Sequence, residues 1–315
     1  MDDKKTGIRQ NLTNYGDLGF STFLRKSFIK GLGYSDEMLD KPIVGIINTF
    51  SNYNSCHGNV PDLIQSLRAG VLAKGAIPLE FPTISVHEAF TYPTSMYLRN
   101  LMAMDTEEMI RAQPMDSCVL IGGCDKTVPA QLMGALSVDM PIVQLVTGPM
   151  LTGSHRGERV GACTDCRRLW AKFRAEEIDQ AEIAEANNQL VPTVGTCGVM
   201  GTASTMAMIA ETLGLMPPDS SCAPAVSSER RRIAEYTGEI AVEIATQKRR
   251  PSSILSAKSF ENALIVLLAI GGSTNGLVHL TAIAGRMGIQ LDMDSFDALS
   301  KDIRSEERFS RNAET

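Results

Sequence analysis

Short apolar runs alternate along this chain with longer stretches in which apolar residues recur every three or four positions. The runs at 43–47, 118–121 and 142–146 predict buried parallel strands, because a strand covered on both faces has no polar side. A fourth run, at 190–194, also predicts a strand. Helical periodicity predicts helices at 60–74, 96–109, 175–190, 202–213 and 228–248, the first capped by Asn59 and ended by Gly75.

This alternation of strand and helix predicts an α/β fold with a mostly parallel sheet flanked by helices. We assign residues 1–300 to this α/β domain. Residues 301–315 carry only two large apolar side chains and are predicted to be a divergent polar tail.

Composition narrows the class of protein. With 315 residues, of which 43% are hydrophobic, the chain is expected to bury roughly three quarters of its unfolded surface. A net charge of −6 argues against nucleic acid or an anionic membrane as partner. The longest apolar run, 263–270, is too short to span a bilayer, and no signal peptide is visible. Seven cysteines without a regular spacing favour a reducing compartment, so we expect a soluble cytoplasmic enzyme domain.

The most distinctive chemistry lies at 119–129, where the sequence reads VLIGGCDKTVP. A strand here ends in two glycines and then presents Cys124, Asp125 and Lys126 in succession. Soft sulfur ligands suit iron and hard oxygen ligands suit magnesium, so the pair Cys124–Asp125 suggests two neighbouring metal centres. The alternative is an ordinary strand-to-helix turn with a buried cysteine and an N-capping aspartate.

Two more cysteines follow apolar runs in the same way. Cys56 lies after the run at 43–47, and Cys197 after the run at 190–194. Because loops at the carboxyl ends of parallel strands meet at one edge of a sheet, these two thiols and Cys124 are predicted to converge. Three thiolates are enough to hold an iron–sulfur cluster with one iron left open.

Other reactive side chains point less clearly to a site. Cys163 and Cys166 form a lone C-x-x-C pair, which is weak support for a metal or redox role, and we expect packing instead. His279 lies on an apolar helical face and is predicted to be structural. His57, next to Cys56, is the candidate for a hydrogen bond to substrate.

Five blocks of sequence together resemble the dihydroxy-acid and sugar-acid dehydratases, the superfamily that includes phosphogluconate dehydratase. In order along the chain they are NSCHGN at 54–59, GGCDKTVP at 122–129, GTCGVMGTASTM at 195–206, SFENA at 259–263 and GGSTN at 271–275. The segments 88–95 and 153–168 resemble the aldonate branch, typified by arabinonate dehydratase. The branched-chain amino-acid branch usually has Cys-Asp-Gly at the positions of His87, Glu88 and Ala89.

The resemblance implies two cofactors. Cys56, Cys124 and Cys197 would bind an iron–sulfur cluster, with [2Fe–2S] favoured over [4Fe–4S]. Mg²⁺ would be bound by Glu88, Asp125 and a carbamylated Lys126. Lys126 fits this role only when modified, because an ammonium group offers three donors and no acceptor.

The activity implied is that of a hydro-lyase that converts an aldonate such as L-arabinonate into a 2-keto-3-deoxy acid. Relatives are longer, and the resemblance covers only their N-terminal part. The β-rich domain that follows would supply another carboxylate for magnesium and the general base, which is absent from these residues. We therefore expect the chain to be inactive alone, with a separate chain as one possible source of that domain.

Two alternatives remain open at this point. One is dihydroxy-acid dehydration in branched-chain amino-acid synthesis, and the other is a non-catalytic remnant of the family. For both the aldonate and the dihydroxy-acid activity the expected partner is a small-molecule acid, and the family forms homo-oligomers.

Overall fold

The strands form one parallel sheet and one small hairpin. A computed structural model of the chain describes residues 6–10 and 14–303. The sheet contains β1 (Ile43–Asn48), β2 (Ile77–Pro82), β3 (Ser117–Gly122) and β4 (Ile142–Val146), and the antiparallel hairpin contains β5 (Gly153–His155) and β6 (Glu158–Val160). The predicted α/β fold with a parallel sheet is confirmed.

Twelve α-helices accompany these strands in the described part of the chain. They are α1 (Leu18–Lys30), α2 (Asp36–Leu39), α3 (Val60–Ala73), α4 (Arg99–Ala112), α5 (Thr127–Val138), α6 (Ala162–Arg174), α7 (Gln180–Leu190), α8 (Thr202–Thr212), α9 (Ser228–Gln247), α10 (Ala257–Ala269), α11 (Thr274–Arg286) and α12 (Met293–Asp302). Short 3₁₀ turns include Ser55–His57, Glu88–Phe90 and Ser95–Leu98.

Side-chain caps explain several helix starts. The Ser227 side chain accepts a hydrogen bond from the backbone of Arg230 at the start of α9, and Asp179 does the same for Glu182 in α7. Because Asp179 caps α7, the helix predicted at 175–190 begins later than expected, at Gln180.

The strand predicted at 190–194 is wrong. Leu190 ends α7, and the following residues pair with no strand. Pro192 has no N–H to donate to a ladder, and the one isolated bridge among the described residues joins Thr196 to Pro149. The hairpin of β5 and β6 was not predicted, because three-residue strands are too short to show a pattern.

The order of strands in the sheet is β2-β1-β3-β4. In its middle, Gly45 of β1 pairs with Leu79 of β2 on one side and with Cys118 of β3 on the other. The chain moves from β1 outward to β2, then crosses back past β1 to β3 and continues to β4. The direction of winding therefore reverses between β1 and β3, and the crevice at the carboxyl ends of such strands is where ligands bind in open α/β sheets.

Alternate strand residues face two separate cores. Val44, Val119 and Val143 point toward α3 and α9, whereas Ile43, Leu120 and Ile142 point toward the face that α4, α5, α8, α10 and α11 cover. Both faces of the sheet are buried, which accounts for the continuous apolar runs. A third, smaller core lies among β6, α6 and α7.

The predicted tail can be followed only to its first residues. The helix α12 ends at Asp302, and residues 304–315 lie outside the described residues. Among the described helices, none combines the length and the apolar character needed to cross a bilayer.

Candidate functional site

Three cysteine side chains meet at the switch point of the sheet. Cys56 lies in the 3₁₀ turn after β1, Cys124 lies between β3 and α5, and Cys197 lies between α7 and α8. Hydrogen bonds of the Cys56 thiol with Cys124 and with Cys197, together with burial, raise the pKa of Cys56 well above its usual value. These residues, here called the cysteine triad, form no disulfide.

Backbone hydrogen bonds bring Cys197 to the triad without the help of a strand. The Gly195 N–H donates to the Ser55 carbonyl at 3.1 Å, which ties the third loop to the first. Thr196 donates to Gly148 at 2.9 Å and accepts from Met150 at 2.9 Å, which ties it to the segment after β4. The predicted convergence was therefore right for Cys197, although the predicted cause was wrong.

Gly123 allows the Cys124 loop to approach the Cys56 loop. A Cβ at this position would lie 1.8 Å from Thr147 Oγ1 and 3.0 Å from the Cys56 carbonyl oxygen. Thr147 Oγ1 is buried and has no hydrogen-bond partner among the described residues. A buried hydroxyl left without a partner beside the triad indicates room for an acceptor that the chain itself does not supply.

His57 holds the Cys124 loop in place. Its Nε2 accepts hydrogen bonds from the backbone N–H groups of Gly123 at 3.0 Å and Cys124 at 3.2 Å, and its Nδ1 lies 2.9 Å from the Thr49 carbonyl oxygen. Because a carbonyl only accepts, Nδ1 carries the proton. Burial lowers the pKa of His57 to about 4 and outweighs the hydrogen bond to the Thr49 carbonyl, which acts to raise it, so the ring is neutral.

This geometry does not support the predicted hydrogen bond from His57 to substrate. The side chain is fully buried, and both ring nitrogens are engaged by the protein. The local pattern suggested a substrate contact because it could not show that the loop after β3 folds onto this ring.

Glu88, Asp125 and Lys126 form a second cluster, here called the acid–lysine triad. The Lys126 ammonium lies 2.6 Å from Asp125 Oδ2 and 3.4 Å from Glu88 Oε2. Burial acts to lower the pKa of Lys126, but the two carboxylates outweigh it and raise that pKa. Lys126 is also the N-cap of α5 and makes no side-chain cap, so the alternative of an N-capping Asp125 is not observed.

Ser95 orients the Glu88 carboxylate. Glu88 Oε2 accepts hydrogen bonds from the Ser95 backbone N–H at 2.9 Å and from the Ser95 hydroxyl. Burial raises the pKa of Glu88, but hydrogen bonds from Ser95 and Thr94 and the charge of Lys126 outweigh it and bring the pKa to about 2. The side chain is therefore ionised at neutral pH.

The donor sets of the two triads fit the two implied cofactors. In residues 6–10 and 14–303, no three His, Cys, Asp or Glu side chains converge closely enough to enclose one metal ion. An iron–sulfur cluster contains several irons and does not require such convergence, and three thiols beside an unpartnered hydroxyl suit it. Glu88 and Asp125 face one cation, the Lys126 ammonium, so Mg²⁺ would fit between them only if Lys126 lost its charge.

A cavity of about 320 Å³ opens beside the cysteine triad. Its lining includes Gly123, Thr196, Gly198, Met200 and Ser204. This volume is within the range of small-ligand sites. Gly123 and Val146 in its lining place the cavity at the carboxyl ends of β3 and β4.

The other cysteines lie apart from the triads. Cys118 is buried in β3, as predicted, and Cys166 packs against the small core formed by β6, α6 and α7. Cys222 is exposed in the loop before α9 and lines the cavity. The side chain of Cys163 lies outside the described residues.

Sequence reasoning overlooked three contributors. Thr147 carries no distinctive motif. Ser95 lies in the segment 88–95 that resembles the aldonate branch, but that resemblance did not identify it as a partner of Glu88. Arg99 contacts His279 across 180 positions of sequence, with Nη1 3.0 Å from Nδ1, which no local pattern could reveal.

Comparison with known proteins finds similarity to one family of dehydratases. A family model described as dihydroxy-acid/6-phosphogluconate dehydratase N-terminal matches residues 41–305. An L-arabinonate dehydratase of Rhizobium leguminosarum bv. trifolii is 43% identical over 290 residues, which cover 92% of this chain and 50% of the relative. A 6-deoxy-6-sulfo-D-gluconate dehydratase of Pseudomonas putida is 41% identical over 268 residues, which cover 85% and 46%.

A dihydroxy-acid dehydratase of Natronomonas pharaonis is 36% identical over 281 residues, which cover 88% of this chain and 47% of the relative. The chain spans about half the length of the curated relatives that it matches.

Proposed function

Because the chain belongs to the dihydroxy-acid/6-phosphogluconate dehydratase family and matches its N-terminal domain, we propose that it forms the metal-binding half of a sugar-acid hydro-lyase. The substrate class is an aldonate such as L-arabinonate, and the product is a 2-keto-3-deoxy acid. The observation that carries the proposal is the meeting of two kinds of ligand, soft thiols and hard carboxylates, at one switch point.

The cysteine triad would hold an iron–sulfur cluster, and Glu88, Asp125 and a carbamylated Lys126 would hold Mg²⁺. When bound, these cofactors supply Lewis acids that polarise the departing hydroxyl and the carboxylate beside the proton to be removed. A carbamate on Lys126 provides oxygen acceptors that the ammonium lacks.

The surrounding residues keep both ligand sets in position. His57 fixes the Cys124 backbone through two N–H bonds, and Ser95 fixes Glu88 Oε2. Glu88 stays ionised, so it is ready to bind a cation without first losing a proton.

The general base is assigned to a segment outside the described residues. Three histidines lie near the triads: His57 has both ring nitrogens engaged, His279 is fully buried, and His87 caps the turn of Glu88 by accepting a hydrogen bond from the Ala89 N–H. The proposal therefore includes a partner segment, on this or another chain, that completes the crevice.

The substrate preference rests on the relatives. Those named for sugar acids, at 43% and 41% identity, are more similar to the chain than the dihydroxy-acid dehydratase at 36%. A branched-chain dihydroxy acid is therefore the competing substrate in the test.

Anaerobic reconstitution with iron and sulfide tests the ligand assignment. Serine variants of Cys56, Cys124 and Cys197 should each lose bound iron, sulfide and visible absorbance, while Cys166→Ser, the matched control, should keep them. Full iron in Cys124→Ser would contradict the assignment.

Activity is tested with the chain supplemented by the C-terminal half of the L-arabinonate dehydratase relative. The mixture should form 2-keto-3-deoxy acid from L-arabinonate, and faster than it dehydrates a branched-chain dihydroxy acid. A cluster-loaded mixture that dehydrates neither acid would favour a non-catalytic remnant. Turnover by the chain alone at about 1 s⁻¹ or faster would show that the base lies within it.

A further inference from the structure

The partly exposed Arg99 and the buried His279 form a pair on two helices that pack against α5, the helix that begins after Lys126. Arg99 begins α4 and His279 lies within α11, and both helices pack on α5, whose N-cap is Lys126. Arg99 Nη1 donates to His279 Nδ1 at 3.0 Å. Since a guanidinium can only donate, Nδ1 is the acceptor, and the proton of the neutral ring lies on Nε2.

Two donors of this pair have no acceptor. His279 Nε2 and Arg99 Nε are both buried and have no hydrogen-bond partner among the described residues. The His279 side chain is 0% exposed. Buried donors are almost always satisfied in folded proteins, so two orphans on touching side chains indicate a missing acceptor.

The local charge is also unbalanced. Arg99 makes no ion pair in the part of the chain that the structure describes, and burial together with nearby Arg286 lowers its pKa. Burial, Arg99 and then Lys126 lower the pKa of His279 to about 3, so the ring stays neutral close to the lysine. Lys126 is balanced by its two carboxylates, and Arg286 lies 3.6 Å from Glu107, which leaves Arg99 as the cation without a counter-ion.

We propose that Arg99 and His279 bind one carboxylate-type anion beside Lys126. Two N–H donors and an unbalanced guanidinium match the two oxygens and single charge of such a group. The anion has two possible sources, a carbamate formed on Lys126 or the carboxylate of the sugar acid. The choice of source rests on the proposed function, whereas the anion site itself does not.

Formation of a carbamate on Lys126 requires carbon dioxide and no other reactant. The Lys126 ammonium first releases one proton to solvent, against the two carboxylates that raise its pKa. The neutral amine then attacks the carbon of CO₂ and forms an N–C bond, while one C=O π pair moves onto oxygen. The nitrogen then releases a proton to solvent and leaves an anionic N-carboxylate.

The first experimental arm detects the carbamate by ¹³C NMR of the full chain equilibrated with ¹³C-bicarbonate, without iron or magnesium. A protein-bound carbamate signal should appear in the wild type and should be absent in Lys126→Ala. In Arg99→Met or His279→Phe the same signal should need at least ~10-fold more bicarbonate, because a hydrogen bond to a charged group typically contributes that much.

The second arm measures the dissociation constants of formate and L-arabinonate by calorimetry in bicarbonate-free buffer. If the substrate is the source, Arg99→Met and His279→Phe should weaken L-arabinonate binding at least ~10-fold. His279→Gln, which keeps an amide donor, should recover part of the lost affinity in whichever arm responds.

His155→Phe is the matched control, because it removes another buried histidine in β5, away from this pair. It should change neither arm, and circular dichroism should show that all variants are folded. Folded Arg99→Met and His279→Phe proteins that match the wild type in both arms would overturn the proposal. If the wild-type chain binds the anion but holds no iron after reconstitution, the proposed function is contradicted and the anion site is not.

Discussion

Replacing His57 by phenylalanine should destabilise the apo chain strongly. The aromatic ring is retained, but the backbone N–H groups of Gly123 and Cys124 lose their only acceptor shown by the structure, His57 Nε2. Each buried amide left unsatisfied costs about 1–3 kcal/mol, so two cost roughly 2–6 kcal/mol. That loss is large against the roughly 5–15 kcal/mol by which folded domains are stable.

Urea denaturation followed by circular dichroism measures the loss in free energy of unfolding. His155→Phe is the matched control, because neither of its ring nitrogens has a hydrogen-bond partner among the described residues and Nε2 lies 3.6 Å from Glu182. It should change stability by less than about 1 kcal/mol. A loss below about 1 kcal/mol in His57→Phe would refute the role of this ring as the acceptor for the cysteine loop.

Three further predictions follow from other contacts. Gly123→Ala should destabilise the chain by about 1–3 kcal/mol and reduce iron binding, because the added methyl group has no room. The control Gly285→Ala, where the methyl group would enter open space on α11, should be neutral or stabilising in the same denaturation assay. Arg230→Met should lower the free energy of unfolding by at least about 2 kcal/mol and expose the loop before α9 to proteolysis, because the buried guanidinium donates to carbonyl groups of that loop and of β4. Arg231→Met, which replaces an exposed arginine, should have neither effect. The free energy of unfolding should fall as pH decreases from about 6.5 toward 3, because the unfolded chain lets His279 bind a proton that the native ring does not bind. The loss should be roughly 3–5 kcal/mol. If urea denaturation over this pH range gave the same decrease in His279→Gln as in the wild type, His279 would not be its origin.

The family and fold class were predictable because their signals are local. Apolar runs without alternation report strands buried on both faces, and β1 and β4 lie where those runs predicted them. The five sequence blocks led to the family that the comparison then confirmed. The meeting of Cys56 with Cys124 follows the same logic, since loops after parallel strands share one edge of the sheet. The residues of the acid–lysine triad were predicted from the resemblance to the family.

Local reasoning failed where a residue's role depends on distant groups. The run at 190–194 is as apolar as a strand, yet it has no partner, and a backbone bond from Gly195 to Ser55 brings Cys197 to the site instead. The sequence predicted His57 as a substrate ligand, because no local pattern shows that the loop after β3 packs on its ring.

What the sequence by itself determined is therefore the set of elements and the chemical character of the ligands, because periodicity and side-chain chemistry are properties of short segments. Only the tertiary structure decided which donors are satisfied and which are left open. The contact of Arg99 with His279 joins helices far apart in the chain, and the burial that leaves their remaining donors without partners exists only once α4 and α11 pack on α5.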